Sequence, residues 1–383
     1  MGQDGRQLLR YSRPTSTVSK HTPFGRDQRR KLRYLRNFLA GRLVHINLQL
    51  LYTCNFRCKI CNFWQPPYRD TAKLSLEQVE TISDKLAQIG PQILSIGGGE
   101  PLLHPDIVGV VRALARHHFP VMICNGWYVT PEMARNLWQA GIYEVSISVD
   151  YADAKKHDEQ RGADGAYVRA IEALRVLNRE RIHPRQRVHM ISVILEDNLD
   201  EVEPLIRLCR DMGITYLVTL YSDGRGERSV RNIPGEVSRR LLALKRKYSE
   251  FVAVRGYLAR FSEAIEHGGI GSCTAGKQLC NIDSQGQVGL CIDRITDPVG
   301  NILSDDVLEL ERRLLVASRT NTCQGCWTSC RGNIETLRGM RNVIGNAWDY
   351  HQMSKGLPIQ PTSNEAGGSR SPPGDRSSLT PAS

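Results

Sequence analysis

The chain has 383 residues, of which 40% are hydrophobic, and a formal net charge of +11 at pH 7. This length allows one large α/β domain with a smaller module, or two to three domains of ordinary size. No apolar run approaches the roughly 18 residues of a membrane span, and the N-terminus has no apolar signal-peptide core. We therefore expect a cytoplasmic protein without a transmembrane segment.

The positive charge is concentrated at the N-terminus, where residues 1–43 hold eleven Arg or Lys residues against two acidic ones. Residues 1–25 show no periodicity, and we expect them to be disordered. Between residues 26 and 43, leucines share one helical face and basic residues cover much of the rest, which predicts an amphipathic basic helix. The leucines are Leu32, Leu35, Leu39 and Leu43. We expect this helix to pack on the domain with its basic face in solvent, the alternative being contact with an anionic membrane or an acidic partner.

From Val44 onward, predicted strands and helices alternate. The strand candidates are residues 44–51, 93–96, 121–124, 143–149, 188–194 and 216–220. Helix ends are marked between them: Ser75 and Gln78 form a capping box, Gly90 ends that helix, and Thr130 precedes a Pro at the start of another. Six successive βα units predict a parallel sheet, either open or curled into a partial barrel. In both, the ligand is expected at the carboxyl ends of the strands.

The eleven cysteines require an explanation other than disulfides, because a reducing compartment keeps thiols free and an odd number cannot all pair. Cys124 and Cys209 stand alone in apolar segments and are expected to be core thiols. Cys54, Cys58 and Cys61 lie within eight residues, directly after the first predicted strand. Three such thiols can ligate three irons of a 4Fe-4S cluster and leave the fourth iron open. A zinc site is the alternative, although structural zinc normally takes four closed ligands.

With these residues the chain resembles the radical S-adenosylmethionine (SAM) superfamily. The three cysteines match its CxxxCxxC motif, with Ile60 in place of the usual aromatic residue before the last cysteine. Gly98-Gly99-Glu100-Pro101, after the second predicted strand, resembles the GGEP motif. The resemblance covers roughly residues 44–225, about half the chain, and implies a partial (β/α)6 barrel whose Cys54, Cys58 and Cys61 hold a 4Fe-4S cluster.

The same resemblance implies how SAM is held. Gly98, Gly99 and Glu100 would receive its amino group, since glycines allow a close backbone approach and a carboxylate accepts hydrogen bonds from nitrogen. Ser148 and Arg161 stand where the family contacts the SAM carboxylate. Asn125 and Asp150 are candidates for ribose contacts, with a plain strand-end cap as the alternative. Phe63 and Trp64 are expected to shield the cluster or to pack in the core, and Tyr221, Asp223 and Arg225 to line the substrate pocket.

The C-terminal cysteines carry a second resemblance. Cys273, twelve residues, Gly286, four residues and Cys291, followed by Cys323 and Cys326, resemble the SPASM/Twitch extensions, which hold auxiliary 4Fe-4S clusters. This implies one auxiliary cluster on Cys273, Cys291, Cys323 and Cys326, with a zinc knuckle as the alternative. Cys280 and Cys330 are then candidate catalytic residues, as proton or hydrogen-atom donors, or alternative ligands. The predicted organisation is a basic arm at 1–43, the barrel at 44–260, the cysteine-rich module at 261–356 and a disordered tail at 357–383.

The resemblance implies an oxidoreductase or isomerase-type enzyme that cleaves SAM reductively to a 5′-deoxyadenosyl radical, with flavodoxin or ferredoxin as electron donor. The radical would take a hydrogen atom from a peptide or a small biosynthetic substrate, leading to crosslinking, oxidation or epimerisation. A dehydrogenase or epimerase of a sugar, an aminocyclitol or a lipid-linked molecule is the second reading. A zinc-binding protein associated with nucleic acid is the alternative of a different class.

Overall fold

A computed structural model of the chain describes residues 27–68, 71–231, 233, 235–294, 296–338, 346 and 348–349. The segments predicted to be disordered, 1–25 and 357–383, lie outside the described residues. The strands are β1 (His45–Leu51), β2 (Ile93–Gly98), β3 (Phe119–Cys124), β4 (Glu144–Ser148), β5 (Arg187–Ile194), β6 (Thr215–Leu220), β7 (Leu279–Ile282), β8 (Gln287–Gly289) and β9 (Gly300–Asn301). The helices are α1 (Asp27–Leu39), α2 (Leu76–Ile89), α3 (Ile107–Ala115), α4 (Pro131–Ala140), α5 (Ala154–Arg161), α6 (Ala166–Arg179), α7 (Val202–Met212), α8 (Val237–Lys247), α9 (Arg255–Leu258), α10 (Phe261–His267), α11 (Val307–Arg319) and α12 (Ser329–Leu337).

The nine strands form one sheet in the order β6-β5-β4-β3-β2-β1-β7-β8-β9. The seven strands from β6 to β7 are parallel to their neighbours, whereas β8 and β9 join as antiparallel strands. The first six strands and the helices between them are six βα units in chain order, as the sequence predicts. The fold is therefore an α/β partial (β/α)6 barrel followed by a cysteine-rich C-terminal region.

The strand β1 has two different buried faces because side chains alternate along a strand. Ile46 and Leu48 belong to the hydrophobic core. Asn47 and Gln49 are also buried, but they face the inside of the barrel. Apolar residues of β1 therefore hold the sheet against the rest of the core, while its polar residues are available to a site inside.

The predicted helix caps are confirmed. The Ser75 hydroxyl accepts a hydrogen bond from the Gln78 backbone N–H at 3.1 Å, and the Gln78 side chain accepts one from the Ser75 N–H at 2.8 Å. Gly90 ends α2, and Thr130 caps α4 by accepting from the Met133 N–H at 3.1 Å. Among the described residues, no helix combines the length and the apolar content needed to cross a membrane.

The C-terminal cysteine-rich region is joined to the barrel through the sheet. β7 pairs in parallel with β1, so that Ile46 lies beside Cys280 and Leu48 beside Ile282. The Gln49 side chain also donates to Asn281 Oδ1 at 3.2 Å. The division of the chain at residue 260 stays a prediction, but the sheet continues across it and β1 lies between two parallel neighbours.

The helix α1 is present and packs on the barrel, but not through its leucines. Its buried residues are Asp27 and Asn37. The Asn37 amide donates to the Ile89 carbonyl at 2.9 Å, and Arg30 donates to the Ala115 carbonyl at 2.7 Å. Leu32, Leu35 and Leu39 are 69%, 47% and 53% exposed. The helix thus packs on the domain with basic residues in solvent, as predicted, but its leucines are also in solvent because its contacts with the barrel are the polar ones of Arg30 and Asn37.

Removing residues 261–383 should leave β1 paired with β2 alone, so that its other edge is open and the core beside it is uncovered. Exposed hydrophobic edges pair with other chains, so we expect the 1–260 fragment to aggregate. Size-exclusion chromatography of this fragment and of a control chain ending at residue 356, which keeps β7 to β9, tests this. A monomeric 1–260 fragment with a native helical signal would contradict it.

Candidate active site

The carboxyl ends of the barrel strands surround a cavity of about 280 Å³. The residues predicted for the site that line it are Cys54, Cys58, Cys61, Gly98, Gly99, Glu100, Asn125, Ser148, Arg161 and Cys330. From the C-terminal region, Ile292, Thr328 and Ser329 also line it. The first cysteine group, the GGEP segment and part of the C-terminal region therefore meet at one cavity, where parallel strands end.

The cysteine loop, residues 52–63, follows β1 and is held by backbone hydrogen bonds to other segments. The Arg57 N–H donates to the Arg161 carbonyl at 3.3 Å, and the Lys59 N–H donates to the Gln160 carbonyl at 3.0 Å. The Lys59 carbonyl in turn accepts from the Glu227 N–H at 2.7 Å. The loop is thereby attached to the end of α5 and to the segment after β6.

The GGEP segment lies directly against the start of the same loop. The Gly99 N–H donates to the Leu51 carbonyl at 2.7 Å, and the Glu100 N–H donates to the Thr53 carbonyl at 2.9 Å. Gly98 has a φ of 116°, which favours glycine. A Cβ on Gly98 would lie 2.1 Å from the Leu51 oxygen, and one on Gly99 2.0 Å from the Thr53 oxygen. Only glycines allow this approach, so the segment and the cysteine loop have a fixed relative position.

The Glu100 carboxylate is buried at the cavity, with 1% of the residue exposed. Its Oε1 accepts from the Leu102 N–H at 3.0 Å, and its Oε2 accepts from the Asn125 N–H at 2.8 Å. Burial raises the pKa of Glu100 to about 7, and the two backbone donors oppose this rise. Each oxygen keeps a lone pair, so the carboxylate can accept further hydrogen bonds from a ligand nitrogen.

Arg161, at the end of α5, faces the cavity from the other side. Its Nη2 lies 2.7 Å from Asp150 Oδ2. Asp150 is itself fixed, because its Oδ1 accepts from the Val193 N–H at 2.9 Å. The buried Arg161 Nε has no hydrogen-bond partner among the described residues. Ser148 lines the same cavity, and a ligand carboxylate there would meet a hydroxyl and an unused guanidinium donor.

Asp150 does not line the cavity, whereas Asn125 does. The Asn125 amide donates to Asn55 Oδ1 at 2.9 Å and its oxygen accepts from the Trp127 N–H at 2.9 Å. Asp150 is thus placed to position Arg161, and Asn125 links the cysteine loop to the end of β3.

These groups fit a 4Fe-4S cluster with SAM. Burial raises the pKa of Cys54 to about 12 and that of Cys58 to about 11, so ligation must release their protons. Within the described part of the chain, no three His, Cys, Asp or Glu side chains converge on a single metal ion. In a 4Fe-4S cluster each cysteine binds a different iron, so the cysteine sulfur atoms need not converge on one point. The amino group of an amino acid would suit Gly98, Gly99 and the free lone pairs of Glu100. Its carboxylate would suit the Arg161 Nε that has no partner among the described residues.

The second cysteine group is assembled in the C-terminal region. The Cys273 N–H donates to the Cys323 carbonyl at 3.3 Å. Burial raises the pKa of Cys291 to about 12, and the nearby Asp293, Cys326 and Cys273 act in the same direction. The four predicted auxiliary-cluster cysteines therefore lie close together in the fold.

A buried guanidinium borders this group. Arg331 Nη1 donates to the Cys326 carbonyl at 2.8 Å, Nη2 to the Gly271 carbonyl at 3.0 Å, and Nε to Glu335 Oε1 at 3.1 Å. Arg331 also lies 5.6 Å over the Trp327 ring. A cluster bound by four thiolates is anionic, and a fixed cation beside it offsets that charge. The spacing of the cysteines did not predict that Arg331 would lie beside them.

The two remaining candidate cysteines lie in different places. Cys330, near the start of α12, lines the cavity, and its Sγ is 3.5 Å from Asn47 Oδ1. Cys280 is buried on β7 beside Ile46 and is absent from the cavity lining. Glu311 of α11 contributes to raising its pKa, after burial itself. Of these two cysteines, Cys330 is the one placed to meet a substrate in the cavity, which the buried thiol of Cys124 also lines.

An ion pair connects the barrel to the C-terminal region at the cavity. Arg225, which lines the cavity, pairs with Asp293, two residues after Cys291. The Ser222 hydroxyl lies 3.4 Å from Asp293 Oδ2. Phe63, Trp64 and Tyr221 also line the cavity, whereas Asp223 does not. The pairing of Arg225 with Asp293 crosses 68 positions of sequence and could not be read from either segment alone.

Comparisons with known proteins agree with this geometry. The profile of the Radical SAM superfamily matches residues 48–209. Mycofactocin maturase MftC of Mycobacterium tuberculosis is 30% identical over 307 residues, which cover 76% of this chain and 77% of the relative. AdoMet-dependent heme synthase of Methanosarcina barkeri is 30% identical over 194 residues, covering 50% and 54%. The structure of Streptococcus suis SuiB bound to precursor peptide SuiA aligns with a TM-score of 0.59 at 16% identity, covering 87% of this chain and 82% of that one.

The partial barrel and its cysteine-lined cavity define an iron–sulfur enzyme of the α/β class. With these matches, the chain belongs to the radical SAM superfamily, whose members use a 4Fe-4S cluster and SAM. A mycofactocin maturase is among its relatives, and its fold is shared with SuiB, whose structure was solved with a precursor peptide bound.

Replacing Glu100 with Gln keeps the side-chain volume but removes the charged acceptor at the cavity. A hydrogen bond to a charged group contributes about 1.5–3 kcal/mol, so we expect roughly 10- to 100-fold weaker SAM binding. Calorimetry on anaerobically reconstituted protein measures it, with Glu132→Gln on the exposed side of α4 as control. Equal affinities for the E100Q variant and the wild type would exclude Glu100 from SAM binding.

The raised pKa of Glu100 predicts a pH dependence. The carboxylate fraction rises as pH increases through about 7, and only the carboxylate accepts two ligand hydrogen bonds. The ratio of wild-type to E100Q affinity for SAM should therefore increase from about pH 6 to about pH 8 and level off above. Taking the ratio removes the titration of SAM and of the other residues. A ratio that is constant over this range would show that Glu100 does not titrate there.

Proposed function

We propose that the protein is a peptide-modifying radical SAM enzyme that removes a hydrogen atom from a substrate carbon. The observation that carries the proposal is the shared cavity. Cluster thiols, a carboxylate, a guanidinium and residues of the C-terminal cysteine region all line it. A substrate in the space left beside SAM would thus be held between the two cysteine groups.

The three cysteines of the loop would hold the cluster, and Gly98, Gly99 and Glu100 would hold the SAM amino group. Ser148 and Arg161 would bind its carboxylate, while Asp150 positions Arg161 and Asn125 shapes the ribose side. A 4Fe-4S cluster and SAM held by these residues would supply a 5′-deoxyadenosyl radical, with flavodoxin or ferredoxin as the electron donor. Phe63 and Trp64 exclude water from that part of the cavity, since their rings line it.

The C-terminal region would complete the reaction. Cys273, Cys291, Cys323 and Cys326 would hold one auxiliary cluster, which suits oxidation or crosslinking because it can accept an electron. Cys330 would be the donor of a hydrogen atom if the outcome is epimerisation, since its thiol reaches the cavity. Cys280 would take no part in this step, because it is buried on β7 and does not line the cavity. A cytoplasmic setting would keep all these thiols reduced.

The extent of the matches favours a peptide substrate. The maturase similarity covers 76% of the chain, and so includes sequence beyond the barrel. The heme-synthase similarity covers only 50%, and it leaves a small biosynthetic substrate as the second candidate. A peptide substrate therefore takes precedence, because the maturase match covers the larger share of the chain.

The reconstituted protein with dithionite and SAM should form 5′-deoxyadenosine, and Cys58→Ala should abolish it. Cys209→Ala, which alters a core thiol far from the cavity, is the matched control. A triple Cys54, Cys58 and Cys61 to Ala variant should retain about four irons per chain, those of one auxiliary cluster. Formation of 5′-deoxyadenosine by Cys58→Ala, or a colourless protein, would refute the proposal. Iron loss in Cys330→Ala would make Cys330 a ligand rather than a donor.

A further inference from the structure

The helix α1 presents a row of apolar side chains to solvent. Leu32, Leu35 and Leu39 are spaced three and four residues apart and therefore lie on one face. They are 69%, 47% and 53% exposed, and are among the large exposed hydrophobic residues of the described part of the chain. Three adjacent exposed leucines on one helix differ from the scattered single apolar residues that are normal on surfaces.

Basic side chains lie beside this row of leucines, and α1 has no exposed carboxylate there. Arg29, Arg33 and Arg36 are exposed and form no ion pair with any residue that the structure describes. The one acidic residue of α1, Asp27, is buried and bound to Lys31 at 2.8 Å and Arg185 at 3.5 Å. At 100° per residue, these three arginines lie on one side of the leucine row, and Lys31 lies on the other. The solvent face of α1 is thus apolar along its middle and carries its exposed, unpaired arginines along one edge.

The opposite face fixes the helix to the amino ends of the barrel strands. Arg30 donates to the Ala115 carbonyl at 2.7 Å and stacks 5.4 Å over the Phe119 ring at the start of β3. The Asn37 amide donates to the Ile89 carbonyl just before β2, and the Phe38 carbonyl accepts from Gln278 just before β7. Because the cavity lies at the carboxyl ends, a partner on α1 would leave the cavity accessible.

We propose that α1 is a docking surface for an anionic lipid bilayer. A helix with a row of leucines and arginines along one edge of that row matches the interface of a bilayer, in which apolar side chains enter the acyl region and cations meet phosphate groups. The fixed helix needs no ordering on binding, so little conformational entropy is lost. Charge complementarity selects anionic lipids, since this surface carries cations only.

The test is flotation of the full-length reconstituted protein with vesicles of phosphatidylcholine containing phosphatidylglycerol, and with phosphatidylcholine alone. We expect binding to the anionic vesicles only. Leu32→Ser, Leu35→Ser and Leu39→Ser together should weaken it at least about tenfold, as the loss of several buried methylene groups implies. Arg29→Gln, Arg33→Gln and Arg36→Gln should each weaken it roughly fivefold. Val168→Ser with Val316→Ser, which changes exposed valines on α6 and α11, should bind as the wild type does.

Each other outcome would overturn the proposal. Absence of binding to anionic vesicles would exclude it directly. Unchanged binding of the triple serine variant would assign the attraction to basic residues elsewhere. A wild-type dimer that the serine variant converts to a monomer, without vesicle binding, would make a second copy the partner. Retention on polyglutamate beads but not on vesicles, lost in the arginine variants, would point to an acidic protein. Circular dichroism and 5′-deoxyadenosine formation should be unchanged in every variant, which excludes misfolding as the cause.

Discussion

The structure of the site depends on the backbone hydrogen bonds of the cysteine loop. The loop follows β1 without regular secondary structure, and its peptide groups must still find partners. They find them in the two segments that would bind SAM: the GGEP segment at Leu51 and Thr53, and the end of α5 at Arg57 and Lys59. Cluster ligands and SAM ligands are therefore parts of one hydrogen-bonded unit. A shift of either segment would move the cysteines with it. A side chain on Gly98 or Gly99 would force such a shift, because its Cβ would overlap the carbonyl oxygens of Leu51 or Thr53.

Charged side chains surround the cysteine loop and the two segments bonded to it, where little solvent is present to screen them. Glu100 is held by two backbone donors, Arg161 by Asp150, and Arg225 by Asp293. Burying such groups costs free energy unless each is paired, and an oriented pair keeps its dipole fixed while a ligand binds. The unpaired Nε of Arg161 and the free lone pairs of Glu100 are then the groups that a ligand completes.

The sequence was sufficient for the parts of this structure that local patterns determine. All six barrel strands, the caps of α2 and α4, and the gathering of the motif residues at the strand ends could be predicted, because periodicity, capping and strand order are local rules. The pairing of β7 with β1 and of Arg225 with Asp293 could not, because both join segments far apart in the chain. The packed face of α1 was mistaken for the same reason: its leucine pattern is local, whereas the carbonyls that bind Arg30 and Asn37 belong to distant residues. The polar residues Asn47 and Gln49 were visible in the alternation of β1, and their burial inside the barrel explains that pattern.

The strand β1 also determines how the two cysteine groups relate to each other. Its carboxyl end leads into the first group, and its edge is covered by β7, from which the chain turns through β8 to Cys291. Residues on both sides of β1 thus share one rigid element, since a strand between two parallel neighbours cannot slide without breaking both ladders. Cys330 reaches the cavity from this side and lies against Asn47 of the barrel, and Asp293 pairs with Arg225, which lines the cavity. The distance between the two groups is accordingly a property of the sheet, and a flexible linker between two separate domains could not maintain it.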